Sequence, residues 1–213
     1  MIEHKTVSLA DQVFDHLETD IFSGKYSRGE ILTESKLSQE LGVSRTPIRE
    51  ALRRHQQENL IIETGKGSLV LGISEKDLCD IYLIREQLEG LAAKMAAESA
   101  SEEDINELKS ALELQEFYLA KSNSEQIRVM DNKFHELLYN ISGSHVFYNT
   151  LLPLHKKVQK YRKASIQSGS RAAQSVDEHR KILNAIIARD GDLAAKYTAE
   201  HAKNAYNHIA GKD

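Results

Sequence analysis

Cysteine, proline and tryptophan are scarce in this chain of 213 residues, which holds one cysteine, two prolines and no tryptophan. Cys79 has no second thiol in the chain, so no intramolecular disulfide can hold the fold, and the residue is expected to be buried in a helix. With only 11 glycines beside the two prolines, turn formers are too few for an all-β chain of this length. No apolar run approaches the ~20 residues of a membrane-spanning helix, so no membrane partner is expected. The opening segment MIEHKTVSLADQVF lacks the basic-then-apolar pattern of an export signal, which makes the cytoplasm the expected location. Neither sign of charge dominates: 9 Lys and Arg face 11 Asp and Glu over residues 1–72, and 19 face 21 over residues 73–213. A function resting on a broadly basic surface is thereby excluded, and any anion-binding role has to come from local placement of charge.

What is present is amphipathic helix. Hydrophobic residues make up 40% of the chain and charged residues 28%, an ordinary globular composition. The length suits two domains of roughly 70 and 140 residues. Leu9, Val13, Leu17 and Ile21 form one stripe of a helix from about Ser8 to Ser23, with Gly24 as its terminator. The stretch Leu37–Leu60, LSQELGVSRTPIREALRRHQQENL, then reads as a short helix, a Gly42-Val43 turn and a second helix opening at Ser44-Arg45-Thr46-Pro47. Leu37 and Leu41 tie the first helix to a core, and Ile48, Ala51 and Leu52 tie the second. The leading face keeps Arg45, Thr46 and Arg49. A helix-turn-helix needs this division, because the first residues of its second helix must reach base edges in the major groove.

Charge is locally favourable there: Arg45, Arg49, Arg53, Arg54 and Lys66 outnumber Glu50, Glu58 and Glu63 between Gly42 and Lys66. Leu60–Thr64, a Gly65-Lys66-Gly67 turn and Ser68–Leu71 read as a β-hairpin. Such a wing can lay Lys66 and the backbone of Gly65 and Gly67 against phosphates or the minor groove. The expected partner is double-stranded DNA, bound with modest non-specific affinity because the bulk charge is unfavourable.

From Ser74 onward only helix is expected, near residues 74–99, 101–121, 123–141, 144–167, 173–188 and 191–209. Ser74/Asp77, Ser101/Asp104 and Ser175/Glu178 resemble capping boxes at three of the starts. Gln167-Ser168-Gly169-Ser170 reads as a loop, and Arg189-Asp190-Gly191-Asp192 as a tight turn. The expected fold is mainly α: a winged helix-turn-helix of three helices and a small β-hairpin over residues 1–72, then an all-helical six-helix bundle over residues 73–213.

Several polar residues fall on the apolar stripes of that bundle. Arg85 completes the stripe of Leu78, Ile81, Leu88, Ala92 and Met95. A buried Arg is costly unless paired or facing a wet cavity, so it serves a ligand, pairs with a carboxylate such as Glu89 or Asp131, or snorkels out. Asp131 and His135, one helical turn apart, share the stripe of Ile127, Phe134 and Leu138, a spacing suited to joint metal ligation. His179 lies among Val176, Leu183 and Ile186, and His201 among Ala194, Tyr197 and Ala205. Asp190 stands eleven residues from each of these histidines. An antiparallel hairpin about Asp190-Gly191 would therefore set both imidazoles at one height. Two such histidines with the Asp131/His135 pair make a candidate site for a borderline divalent ion, Zn²⁺, Ni²⁺, Mn²⁺ or Fe²⁺. Histidines 4, 16, 55, 145, 155 and 208 show no such coincidence and read as structural or exposed.

GVSRTPIREAL after a lead of roughly 35 residues and before a short wing resembles the GntR family of bacterial transcriptional regulators. The C-terminal part is similar to the all-helical FCD effector domain of its FadR-type branch. The similarity lies in Arg85 within IYLIREQLEGLAA, Asp131 and His135 within DNKFHELLY, His179 within DEHRKIL, and His201. The resemblance implies that Asp131, His135, His179 and His201 bind a divalent metal, Zn foremost, at the bottom of a cavity. It further implies that Arg85 helps hold the carboxylate of a small organic acid beside the metal. Arg162, Tyr161 and Asn204 are further pocket-lining candidates by their place on the later helices. For DNA it implies base contacts from Arg45 and Arg49 with Thr46 and Ser44 nearby, wing contacts from Gly65 and Lys66, and binding to palindromic operators as a homodimer. Ser35, with Lys36 beside it, stands where some relatives place a DNA-contacting Arg. His55 replaces a usual apolar core residue, Asn59 a usual Gly, and Ser144 a common Asn.

These features together predict a ligand-responsive regulator, acting as a repressor more often than an activator. Three other readings share the residues. The metal could itself be the signal, or could simply pin the bundle. A metal-dependent hydrolase would use the same cluster, but no general base is placed beside the ligands, and the adjacent His-Asp pair of helical phosphohydrolases is missing.

Overall fold

The computed structural model describes residues 7–165 and 170–211, the side chains at 160, 162–165 and 170 excepted. The chain divides into two compact units, with the boundary between Glu75 and Lys76.

The first unit opens with α1, Leu9–Phe22, whose N-terminus is closed by a reciprocal Ser8/Asp11 capping box. The stripe of Val13, Leu17 and Ile21 is buried as its spacing predicts. After β1, Ile31–Leu32, come α2, Glu34–Leu41, and α3, Arg45–Gln57. Gly42 ends α2 in the left-handed conformation at φ 67°, and Ser38 ties the turn by donating to the Val43 carbonyl at 2.5 Å. Leu37, Ile48 and Ala51 are fully buried, which fixes α2 and α3 to the same core and turns the opposite face of α3 outward. His55 joins that core by stacking on Phe14, ring centroids 4.2 Å apart, with its Nε2 at 3.1 Å from the Phe14 carbonyl oxygen. Asn59 takes the left-handed conformation at φ 56°, the geometry for which Gly is the common choice.

The expected hairpin is present as β2, Ile61–Thr64, and β3, Gly67–Val70, and it belongs to a three-stranded antiparallel sheet ordered β1-β3-β2. Gly67 lies within β3, opposite Thr64, so the connection is the two residues Gly65-Lys66. At φ 131° a side chain on Gly67 would be strained, and its Cβ would come within 2.6 Å of the Leu32 carbonyl oxygen. The strand β1 is too short to announce itself by alternation.

The second unit holds six helices among the described residues: α4 (Glu75–Ser99), α5 (Glu102–Ala120), α6 (Ser124–Ile141), α7 (His145–Ser165), α8 (Ser170–Ile187) and α9 (Gly191–Ile209). Small residues let α4 lie close to its neighbours. Ala92, Ala93, Ala96 and Ala97 are fully buried, and a Cβ on Gly90 would meet the Ala195 carbonyl oxygen of α9 at 3.1 Å. The shared core adds Leu108, Phe134, Leu138, Tyr139, Leu151, Ile182 and Ile186.

Three expectations need correction here. The Ser101/Asp104 capping box is formed, but Ser175/Glu178 caps nothing, because α8 already begins at Ser170. No breaker stands between Ser170 and Ser175, so the helix simply starts earlier, and both side chains are released for contacts inside the bundle. Of the loop expected over 167–170, residues 167–169 lie outside the described residues, and Ser170 is instead the first residue of α8. Cys79 is in a helix as expected but is only half-buried.

Candidate functional site

Three of the four residues singled out as metal ligands converge in the bundle interior. One ring nitrogen of each of His135 (α6), His179 (α8) and His201 (α9) lies within 4.8 Å of the other two, and all three residues are buried. The rings stand 4.7–5.2 Å apart by centroid. The α8–α9 hairpin turns at Asp190, which caps α9 by accepting from the Leu193 N–H, and the equal spacing about it brings the two imidazoles level. Asp131, one turn before His135, lies at the side of the trio. Its Oδ1 is 3.8 Å from His179 Nε2, and it accepts hydrogen bonds from Gln159 and, at 3.5 Å, from the Ser175 hydroxyl.

Each histidine is oriented from behind through Nδ1. His179 Nδ1–H donates to Gln115 Oε1 of α5 at 2.8 Å, and its ring stacks on Phe134. His201 Nδ1–H donates to Glu178 Oε2 at 2.7 Å. Glu178 is itself clamped by Arg171 and by the Asn204 amide at 2.8 Å. His135 Nδ1 lies 3.3 Å from the Tyr139 hydroxyl, whose one proton goes to Glu89 Oε1 at 2.5 Å. The proton between His135 and Tyr139 must therefore be the imidazole's. In His135 and His179 the lone pair is thereby left on Nε2.

Both of these nitrogens, His135 Nε2 and His179 Nε2, are buried without a hydrogen-bond partner among the described residues. Burial, then the neighbouring imidazoles, push His135 and His179 well below the ordinary histidine range, so both rings are neutral at physiological pH. Burial raises Glu178, but the hydrogen bonds from His201 and Arg171 outweigh it and hold the carboxyl at about 2. Buried polar atoms are seldom left unsatisfied. Neutral imidazoles with orphaned, converging lone pairs and a flanking carboxylate form a donor set that fits a borderline divalent cation.

Arg85 is paired through Nε and Nη2. Its Nε donates to Glu89 Oε1 at 2.7 Å and its Nη2 to His155 Nδ1 at 3.2 Å, with both residues of the ion pair buried. Of the readings its position allowed, the structure shows the carboxylate partner, Glu89. His155, read from the sequence as structural or exposed, is buried in this cluster. Its ring lies 4.2 Å from that of His135, and its Nε2 donates to Asn132 at 3.0 Å. Its signal was available, since it continues the α7 stripe of Leu151 and Val158. Gln115 likewise continues Leu108, Ala111 and Leu112. Asn204 binds Glu178, Tyr161 is half-buried on α7, and the Arg162 side chain lies outside the described residues.

In the first unit Ser35, Lys36, Ser44, Arg45, Thr46, Arg49, Gly65 and Lys66 are all exposed. Ser44 precedes α3 without a side-chain cap hydrogen bond, leaving first-turn N–H groups open to an anion. Arg49 forms a two-pronged pair with Glu34 at 2.7 and 2.8 Å, and Lys36 pairs with Glu30 at 2.9 Å. The wing is braced by Thr64, whose hydroxyl donates to the Gly67 carbonyl and accepts from the Lys66 N–H.

Among the described residues no helix is long and apolar enough to cross a membrane. The family model described as bacterial regulatory proteins, gntR family, matches residues 9–70, and that of the FCD domain matches residues 80–204. The chain is 30% identical to the uncharacterized HTH-type transcriptional regulator YdhC of Bacillus subtilis, over 93% of this chain and 89% of that protein. It is 29% identical to the gluconate operon transcriptional repressor of Bacillus licheniformis, over 84% of this chain and 76% of that protein. Among solved structures, Escherichia coli McbR/YncC is similar with a TM-score of 0.74 at 25% identity, covering 97% of this chain and 99% of that one. These relatives are regulators rather than enzymes, so the hydrolase reading falls away. The chain belongs to the GntR family of bacterial transcriptional regulators and carries an FCD domain behind its winged helix-turn-helix.

Proposed function

We propose that this protein is a ligand-responsive repressor that binds a palindromic operator as a homodimer and senses a small organic carboxylate at a divalent metal in its FCD domain. The observation that carries this reading is the convergence of one ring nitrogen each from His135, His179 and His201, with Nε2 of His135 and of His179 buried and unpartnered among the described residues. These three and Asp131 would hold the ion, with Zn²⁺ foremost and Ni²⁺, Mn²⁺ or Fe²⁺ as alternatives. Bound there, a divalent ion would supply positive charge and an open coordination position for an anion. The relative from Bacillus licheniformis is named for repressing a gluconate operon, and gluconate is a small carboxylate, which supports that class of effector.

On the DNA side, Arg45 and Arg49 would read bases, with Ser44, Thr46, Ser35, Lys36, Gly65 and Lys66 placing the head on the backbone. An effector that binds one dimer arrangement better than the other shifts the population between them, and so the operator affinity. The first test is the elemental content of the purified protein by mass spectrometry, beside His179→Ala. Near one divalent ion per chain, lost in the variant, is the expected result, followed by a screen of small carboxylates for release of DNA. Absence of metal from the wild type, even after reconstitution, would overturn the metal-based reading.

One observation favours a second reading, in which the metal itself is the signal. The two buried guanidiniums near the trio, Arg85 and Arg171, are both already paired with carboxylates. Operator release on adding the metal alone would select that reading.

A further inference from the structure

The three histidines are oriented by a repeated device. His201 donates to a glutamate, Glu178, that an arginine, Arg171, holds in place. His135 donates to Tyr139, which donates to a glutamate, Glu89, that Arg85 holds in place. Both chains run from a guanidinium through a carboxylate to an imidazole Nδ1, and the second has one phenol inserted. Every member is buried: Arg85 is 3% exposed, Glu89 and Tyr139 are 0%, and His135 is 0%. Such a chain leaves His135 one tautomer. Glu89 Oε1 accepts from both the guanidinium and the phenol, and the phenol oxygen, its one proton already given, has only lone pairs to offer His135. The imidazole proton is held at Nδ1 and the lone pair at Nε2, the nitrogen that is buried without a partner among the described residues.

We infer that Arg85, Glu89 and Tyr139 are positioning residues for the metal ligand His135, and that Arg85 acts on the metal through this chain rather than by clasping the effector's carboxylate. The inference rests on the metal-based reading above and assigns a role to three side chains of which that reading needs none. Two features of Arg85 point the same way. Its Nε and Nη2 are both engaged, on Glu89 and on His155. It is also only 3% exposed, so an incoming carboxylate would have to reach a guanidinium already sealed from solvent. Groups behind metal-bound histidines set ring orientation and basicity, and their loss typically weakens metal binding about 10- to 100-fold.

The test is titration of the chelator-stripped full chain with Co²⁺, whose visible absorption bands report both affinity and ligand geometry. Tyr139→Phe removes only the hydroxyl and keeps the buried ring. It is expected to weaken Co²⁺ binding about 10- to 100-fold and to alter the band shape. Arg85→Met should do the same, and Arg85→Lys, which can still hold Glu89, should recover most of the affinity. A role confined to packing would not move the spectrum or be rescued by Lys. Wild-type affinity and spectrum in Tyr139→Phe would overturn the inference, provided His135→Ala abolishes binding. If the wild type itself binds no Co²⁺, the metal-based reading fails, and this inference with it. Should Arg85→Met fail to fold, Tyr139→Phe alone decides the matter.

Discussion

Arginine–glutamate pairs occur in both units of the molecule, and they do opposite work. In the winged head the Arg49–Glu34 pair stands in water, with side-chain exposures of 68% and 31%. In the helical unit Arg85–Glu89 is 3% and 0% exposed, and Arg171–Glu178 is 2% and 10%. Water and salt screen an exposed pair until it contributes little, so it can open whenever a phosphate or a base edge offers a better partner. A buried pair has already lost its hydration. Removing one member leaves a bare charge that nothing solvates. The same two residue types therefore act as a latch that can be lifted in one unit and as fixed scaffolding in the other.

The comparison is broken most directly by Arg171→Met. Glu178 would keep His201 and Asn204 but lose its guanidinium, and such a loss typically costs about 3–5 kcal/mol. Urea unfolding of the metal-free chain should show a fall of that size. A change below about 1 kcal/mol, the range of exposed pairs, would mean that the buried pair is no more structural than Arg49–Glu34.

Protons test the same scaffolding from the side of the imidazoles. His135 and His179 have their affinity for protons depressed by burial and by neighbouring rings, while in the unfolded chain each titrates near 6.5. Below that pH the unfolded state binds more protons than the folded one, so stability must fall as pH falls. Two such groups give a slope of up to about 2.7 kcal/mol per pH unit. Glu178, held at about 2, adds its own loss only as the pH drops below its ordinary 4.5. Urea midpoints of the metal-free chain should therefore decline from pH 7.5 to 5.5, and bound metal should steepen the decline by competing for the same lone pairs. A flat profile would show that the rings are solvated and that the scaffolding is loose.

How much of this was legible in the sequence follows from the range of each contact. The helix-turn-helix is local: Leu37, Ile48 and Ala51 reveal their burial through spacing alone, and Gly42 marks the turn. The histidine set was also legible, because Asp131 and His135 are one turn apart and His179 and His201 are equidistant from a turn that is itself readable. The outer partners were not. Glu89 reaches Tyr139 across 50 residues and Gln115 reaches His179 across 64, and no periodicity says which polar residue on a buried stripe will meet which. Glu178 misled for a different reason. Three residues after Ser175 it imitates a capping box, while its real partner, His201, lies on the next helix.

The smallest effect on stability is expected where the effect on function is largest. Arg49→Ala removes the exposed partner of Glu34, and Glu34, partly in water, is readily rehydrated. The burial that holds α3 in place, through Ile48 and Ala51, is untouched. The melting curve should coincide with that of the wild type, while binding to a palindromic fragment, selected with the wild-type protein from a randomised pool, should be lost. Glu34→Gln separates the latch from the reader. It frees Arg49 without removing it, so binding to the same fragment should be retained or strengthened, most visibly at low salt, where screening no longer weakens the pair. Weaker binding in Glu34→Gln would show that Glu34 aims Arg49 at its base. The exposed pair would then also be scaffolding, and the contrast between the two units would narrow to one of burial alone.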